Sequence, residues 1–235
     1  RAFAADQRRL PVTFSISGTC RESGMSGIAI TTSSISVGSR CPWVRAGAGA
    51  VATQNITDPT IGCDVLDLMG VGHSASDAVS AAMSARAHAE YRQVAAVDLA
   101  GRTGHFSGSR TLGVHAVTEG DGCVGAGNLL SSTAVTAAMV EAFENSDGVH
   151  LAERLVFALD AGVRAGGEEG PTHSAALLVA HEQPWPLVDL RVDWADHPVT
   201  ELITCWQRYE PQMQDYVSRA LDPATAPAYG VPGDE

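Results

Sequence analysis

Strand-like and helix-like runs come in blocks along this chain, and that order limits the folds open to it. The blocks run strands, helices, strands, helices, strands. A repeated βαβ array would alternate them one by one, so the order points to an α+β fold with helices segregated onto sheet faces. The opening block begins at LPVTFSIS, Leu10 to Ser17, where Val12, Phe14 and Ile16 alternate with Thr13, Ser15 and Ser17. That period of two is the mark of a half-buried strand. Ser26 to Thr32 is a second such run, and the TCRESGM between them carries a Ser23-Gly24 turn signal, so the pair reads as a β-hairpin.

Trp43 to Gln54, WVRAGAGAVATQ, reads as one further strand whose Gly and Ala residues invite close approach by a neighbour or a ligand. Cys63 to Met69 carries a short apolar stripe, and Ser74 with Asp77 three residues on has the spacing of a capping box before an Ala-rich helix reaching toward Ala89. Arg92 to Gly101 reads as a buried strand, and Gly104 to Ser109 and Gly122 to Gly127 as shorter ones. Ser132 to Asn145 and Val149 to Ala165 read as helices, the second stopped by Gly166-Gly167. Thr172 to His181 is nearly all apolar and belongs inside a sheet, while Leu187 to Asp193 alternates cleanly. A last helix is expected over Pro198 to Tyr209, followed by a Pro- and Gly-rich extended tail over 210–235. With no repeat or mid-chain linker, 13–209 reads as one domain behind a prefix, 1–12.

Charge and cysteine usage exclude several functions. A formal net charge of -12 repels nucleic acid and anionic membrane alike. No apolar run approaches the roughly 20 residues of a membrane span. Five cysteines, none in C-x-x-C spacing, argue against a disulfide framework or zinc site and for a reducing, cytoplasmic setting. AGAGA at Ala46 to Ala50 is not a dinucleotide fingerprint, and no G-x-S-x-G or H-E-x-x-H occurs. His181-Glu182 with Asp189, Asp193 and Asp196 lacks ligand spacing, so neither metal nor cofactor is expected. The arginines Arg45 and Arg92 fall within or at the start of buried-type strands, where a charge that cannot be removed needs a partner. Asp98 is one candidate partner, a substrate carboxylate another.

TFSIS, SVGSRCPWVRAGAGAVATQ, YRQVAAVDLAGRTGHFSG, GDGCVGAGNLL, LAERLVFALDAGVRAGG, HSAALLV and VDLRVDWADHPV follow one another between Thr13 and about Trp206. In that order they resemble a bacterial and archaeal family of unknown function, family 1028, which is classed with the N-terminal nucleophile (Ntn) hydrolases. The resemblance implies a four-layer α-β-β-α sandwich of two antiparallel sheets with outer helices. It also implies that Thr13 is the nucleophile, exposed as a new N-terminus. Residues 1–12 would then be a propeptide or lie ahead of a true start, with Val12 standing where members have Met. A free α-amine, with a pKa of about 7.7–8.0, can accept the hydroxyl proton, whereas the same nitrogen in a peptide bond cannot.

By the same analogy Arg45 would supply the cation, Ser33 would orient the amine, and Asn128 or backbone N–H groups near Thr53 and Gln54 would meet the oxyanion. Thr53, Gln54, Asn55 and Arg92 would contact substrate. The expectation is a hydrolase of a small linear or cyclic amide, working as a homodimer. The competing reading is a non-catalytic binder of a small metabolite on the same fold. Cys20 or Cys41 as nucleophile is a third, weakened because neither starts a strand.

Overall fold

The structure, a computed structural model, describes residues 13–231. The prefix 1–12, with the Val12 junction, therefore lies outside the described residues. Ten strands form two antiparallel sheets. The first sheet has the order β10 (Val188–Val192), β9 (Ser174–Ala180), β2 (Met25–Thr32), β1 (Thr13–Cys20), β8 (Cys123–Asn128), β7 (Ala116–Gly120). The second has β3 (Pro42–Arg45), β4 (Gly49–Asn55), β5 (Arg92–Asp98), β6 (Thr103–Ser107). Five helices cover the outer faces: α1 (Thr60–Gly70) and α2 (Ala75–Ser84) on the second sheet, and α3 (Ala134–Glu144), α4 (Leu151–Arg164) and α5 (Pro198–Leu221) on the first.

The alternation read in the first strand decides which residue meets which layer. Phe14 and Ile16 join Phe143, Leu155, Leu159 and Trp206 in the core under α3, α4 and α5. Ser15 turns the other way, toward the second sheet, where its hydroxyl donates to Gln54. The apolar part of the gap between the sheets is built from Ile28, Ile30, Ala52, Ala176 and Leu178, with a smaller group of Ala95, Val124 and Ala126. Alanines there let the sheets approach closely. The mixed fold of two antiparallel sheets and outer helices agrees with the α+β sandwich expected from the block order.

Several boundaries differ. Trp43 to Gln54 is not one strand but a hairpin of β3 and β4, turning at Ala46–Ala48 with Gly47 at φ 76°. A side chain at Gly49 would meet the Val97 carbonyl oxygen at 2.2 Å, which is why that position is bare. The strand β7 was not anticipated from its AVTEG sequence; it is a partly exposed edge, and its apolar signal is correspondingly weak. Ser74 caps α2 as its spacing predicted, accepting from the Asp77 backbone N–H at 3.1 Å and donating to the Asp77 carboxylate at 2.6 Å.

The last helix runs on through Pro211 to Leu221, so residues 210–221 are helical rather than an extended tail. Proline in a helix interior costs ~3 kcal/mol. The extra turns are held by stacking of Tyr209 on Tyr216 at 5.9 Å and by Arg219, which donates to the carbonyls of Pro227 and Ala228 and lies over the Tyr229 ring. The anchor of the helix is Trp206, 1% exposed and stacked on His150. Replacing Trp206 with Ala is expected to cost about 3–5 kcal/mol in urea unfolding, since the cavity cannot close against a sheet.

Candidate active site

Buried polar side chains of the two sheets meet around Gln93, and a backbone carbonyl sets their directions. Gln93 on β5 donates its Nε2 to the Gly127 carbonyl at 3.1 Å. A carbonyl only accepts, so Gln93 Oε1 must face the other way. It receives Nε2 of Gln54 at 2.9 Å and Nδ2 of Asn128 at 3.1 Å. Gln54 is thereby turned so that its Oε1 accepts from Ser15 at 2.9 Å. Asn128 is turned so that its Oδ1 has no donor among the described residues, although Asn128 is fully buried.

Thr13 stands beside this network, opposite Asn128. It is the first residue of β1, 5% exposed, and sits opposite Thr32 on β2 and Asn128 on β8. Its hydroxyl donates to Thr32 Oγ1 at 3.1 Å. Thr32 Oγ1 in turn lies 3.3 Å from Ser34 Oγ, which accepts from Arg40 Nη2 at 2.8 Å. Arg40 is fixed by further bonds to the carbonyls of Ile35 and Ser36. Thr13 is thus joined to a held guanidinium through two hydroxyls.

Glu168 closes the end of the strand. It forms an isolated bridge with Leu130, and its carboxyl faces the backbone N–H of Ser33. Ser33 follows Thr32 and Leu130 comes two after Asn128, so both neighbours of β1 run on past Thr13 to reach Glu168. Burial drives the Glu168 carboxyl up to about 10, and the backbone N–H of Ser33 pulls the other way. A cleft of about 250 Å³ opens here, lined by Phe14, Glu168, Thr172, Asp196 and His197 among others.

The predicted residues do not all gather at this point. Thr13, Asn128 and Gln54 do, and Ser33 contributes its backbone. Arg45 does not: it lies opposite Gly49, five residues before Gln54 on β4 and so roughly 17 Å along the strand. There it is exposed and paired with Asp67. Its place as the nearby cation is taken by Arg40, which sequence reading passed over because it sits in a loop rather than a strand. Arg92 alternates with Gln93 onto the other face and donates to the Ile56 carbonyl; Asp98, proposed as its partner, pairs with Arg102 instead. Asn55 is consumed in tying loops together, donating to Tyr91 O and accepting from Leu112 N, at φ 68°. Thr53 shares its hydroxyl with Thr57. Gln93, adjacent to the predicted Arg92, was the missed residue, and an amide inside an otherwise apolar RQVAAV strand was its signal.

A wider cleft, about 670 Å³, lies at the other end of β1. Cys20, His150 and Arg154 line it. Burial raises the Cys20 thiol, but hydrogen bonds from Ser23 and the charge of Arg154 bring it net downward. Cys41 is different, buried and pushed up to about 11. All five cysteines are free thiols. No helix among the described residues is long and apolar enough to cross a membrane.

The model of a family of unknown function, DUF1028, matches residues 13–202. The chain belongs to this family. The match begins at the residue that opens β1. A solved relative is the crystal structure of protein SPO2555 from Silicibacter pomeroyi, itself a DUF1028 protein. It is 34% identical over 84% of this chain and 89% of its own, with a TM-score of 0.78. No curated protein matches.

Two predictions follow from the geometry. Gln93→Leu strands the donors of Gln54 and Asn128 and the Gly127 carbonyl, and should lower the unfolding free energy in urea by at least about 1–3 kcal/mol, the cost of one unsatisfied group. Glu168 titrates near 10 when folded but near 4.5 when unfolded, so its contribution is intact below pH 4.5 and is lost as pH climbs toward 10. In the chain beginning at Arg1, Glu168→Gln should therefore match the parent at pH 4 and be the more stable at pH 9, read from denaturation midpoints across that range.

Proposed function

We propose that this protein hydrolyses a small linear or cyclic amide with Thr13 as an N-terminal nucleophile. The observation carrying this reading is the surroundings of Thr13: it is buried, opposite Asn128, and joined through Thr32 and Ser34 to Arg40. A buried hydroxyl needs a partner in any role; this one is linked onward to a guanidinium. The start of the family match at residue 13 also supports a working chain that begins there.

The sequence contains no lysine; all 15 basic residues are arginines. Arginine does not release its proton near neutrality, so the α-amine is the one basic nitrogen of amine type that this chain can offer. In the reading proposed, the Thr13 hydroxyl attacks the amide carbon as its proton passes to the α-amine. The tetrahedral oxyanion collapses, the C–N bond breaks, and the departing nitrogen takes that proton back. Water then cleaves the threonyl ester by the same route, with the amine again as base. Arg40, acting through the two hydroxyls, opposes the negative charge that gathers on the Thr13 oxygen. The small cleft beside Glu168 suits a small substrate.

The test uses chains beginning at Thr13 and at Arg1, offered a panel of small amides, lactams and hydantoin-like rings. The Thr13-first chain should turn over a member of the panel and acquire the mass of an acyl group on Thr13 from a β-lactone. Thr13→Ala should lose activity by on the order of 10³-fold or more, and the Arg1-first chain should be equally inactive unless it is cut before Thr13. Alkylating Cys20 should leave turnover unchanged. Equal turnover by Thr13→Ala would end the proposal, and loss on Cys20 alkylation would move the chemistry to the larger cleft.

A further inference from the structure

Three buried acceptor oxygens around the start of β1 have no hydrogen-bond donor among the described residues: both oxygens of Glu168 and Oδ1 of Asn128. Glu168 is 7% exposed and Asn128 0%. Leaving such groups unpaired costs roughly 1–3 kcal/mol each, and natural cores rarely tolerate it without a reason. Their positions are not loose. The Gly127–Gln93 bond turns Asn128 Oδ1 outward from the network. Glu168 is fixed on both sides, because Ser131 N donates to Gly167 O and Glu169 N donates to Leu129 O.

Resting on the reading of Thr13 as first residue of the working chain, we propose that Glu168 and Asn128 Oδ1 are the seat of the Thr13 α-ammonium group. Thr13 lies opposite Asn128, and Glu168 spans the two chains that continue beyond it. An α-ammonium carries three N–H donors and a positive charge, whereas a peptide nitrogen carries one N–H and none. Only the former can satisfy the amide oxygen and neutralise the carboxylate together. Among the described residues, burial and the Ser33 N–H are what act on this carboxyl, with no cation beside it; the other titratable groups of the cleft are Asp196 and His197, and Glu169 follows in the chain. Glu168 is thus a positioning residue. It points the amine at the Thr13 hydroxyl, and transfer of one proton from ammonium to carboxylate leaves a neutral amine and a neutral carboxyl, ready to accept the hydroxyl proton.

The absence of lysine makes the experiment direct, since the α-amine is the single primary amine in the molecule. The family match begins at residue 13, and the fold of the Thr13-first chain is checked by circular dichroism against the Arg1-first chain before titration. Its α-amine is titrated by the pH dependence of trace acylation, read by mass spectrometry of the N-terminal peptide. Glu168→Gln should lower the midpoint by about one pH unit or more, because the opposite charge is gone. Glu168→Asp, which keeps the charge but draws it back, should fall between. In the Arg1-first chain neither replacement should move the α-amine midpoint. An unchanged midpoint in both Thr13-first variants would overturn the inference, and so would an equal shift in the Arg1-first chain. No readout here uses turnover: a shifted midpoint in an inactive protein would sink the hydrolase reading and keep the seat, while turnover with an unmoved midpoint would do the reverse.

Discussion

Gln93 donates to the Gly127 carbonyl across the gap between the two sheets, and the other amides there take their orientation from that bond. A main-chain carbonyl cannot be turned round, so one bond fixes Gln93, then Gln54 and Asn128, then Ser15. The network is costly to bury and cheap only when complete, which makes it a strong determinant of how the sheets register. Elsewhere the gap is filled by Ile, Leu and Ala, which specify closeness but not register.

The sandwich also explains why its chemistry gathers at strand ends. In the middle of β1 each residue faces either the helix-side core or the opposite sheet, and both are full. Thr13 pairs with Thr32 and Asn128, and the chains that follow those two residues bring the Ser33 N–H and the Leu130 bridge to Glu168. Arg40 reaches the same point from a loop, through hydroxyls rather than directly, which keeps its charge in place without burying it in the core. The opposite end of β1 is organised differently, around a wider cleft with Cys20, His150 and Arg154.

Much of the architecture was legible because periodicity reports burial. The FSIS alternation put Phe14 and Ile16 on one face and Ser15 on the other, and the all-apolar SAALLVA placed β9 inside its sheet. Errors arose where that signal fails. A hairpin made of Gly and Ala has no alternation to break, so β3 and β4 read as one strand. The edge strand β7 buries too little to show a period, and tertiary stacking carried α5 past a proline that local propensity would have made its end.

Sequence by itself determined the fold class, the family pattern and Thr13 as the residue in question, since these depend on order and spacing along one chain. Which charges stand near Thr13 was decided by the tertiary structure alone. Arg45 and Arg40 are five residues apart, yet the strand β3 runs between them and carries the first to an exposed pair with Asp67, while the second stays in the loop at Ser34. Glu168 lies 155 positions from Thr13 in the chain and meets the end of its strand only because β2 and β8 flank it. Proximity across sheets follows from strand order, and strand order is settled by packing that no local stretch of residues encodes.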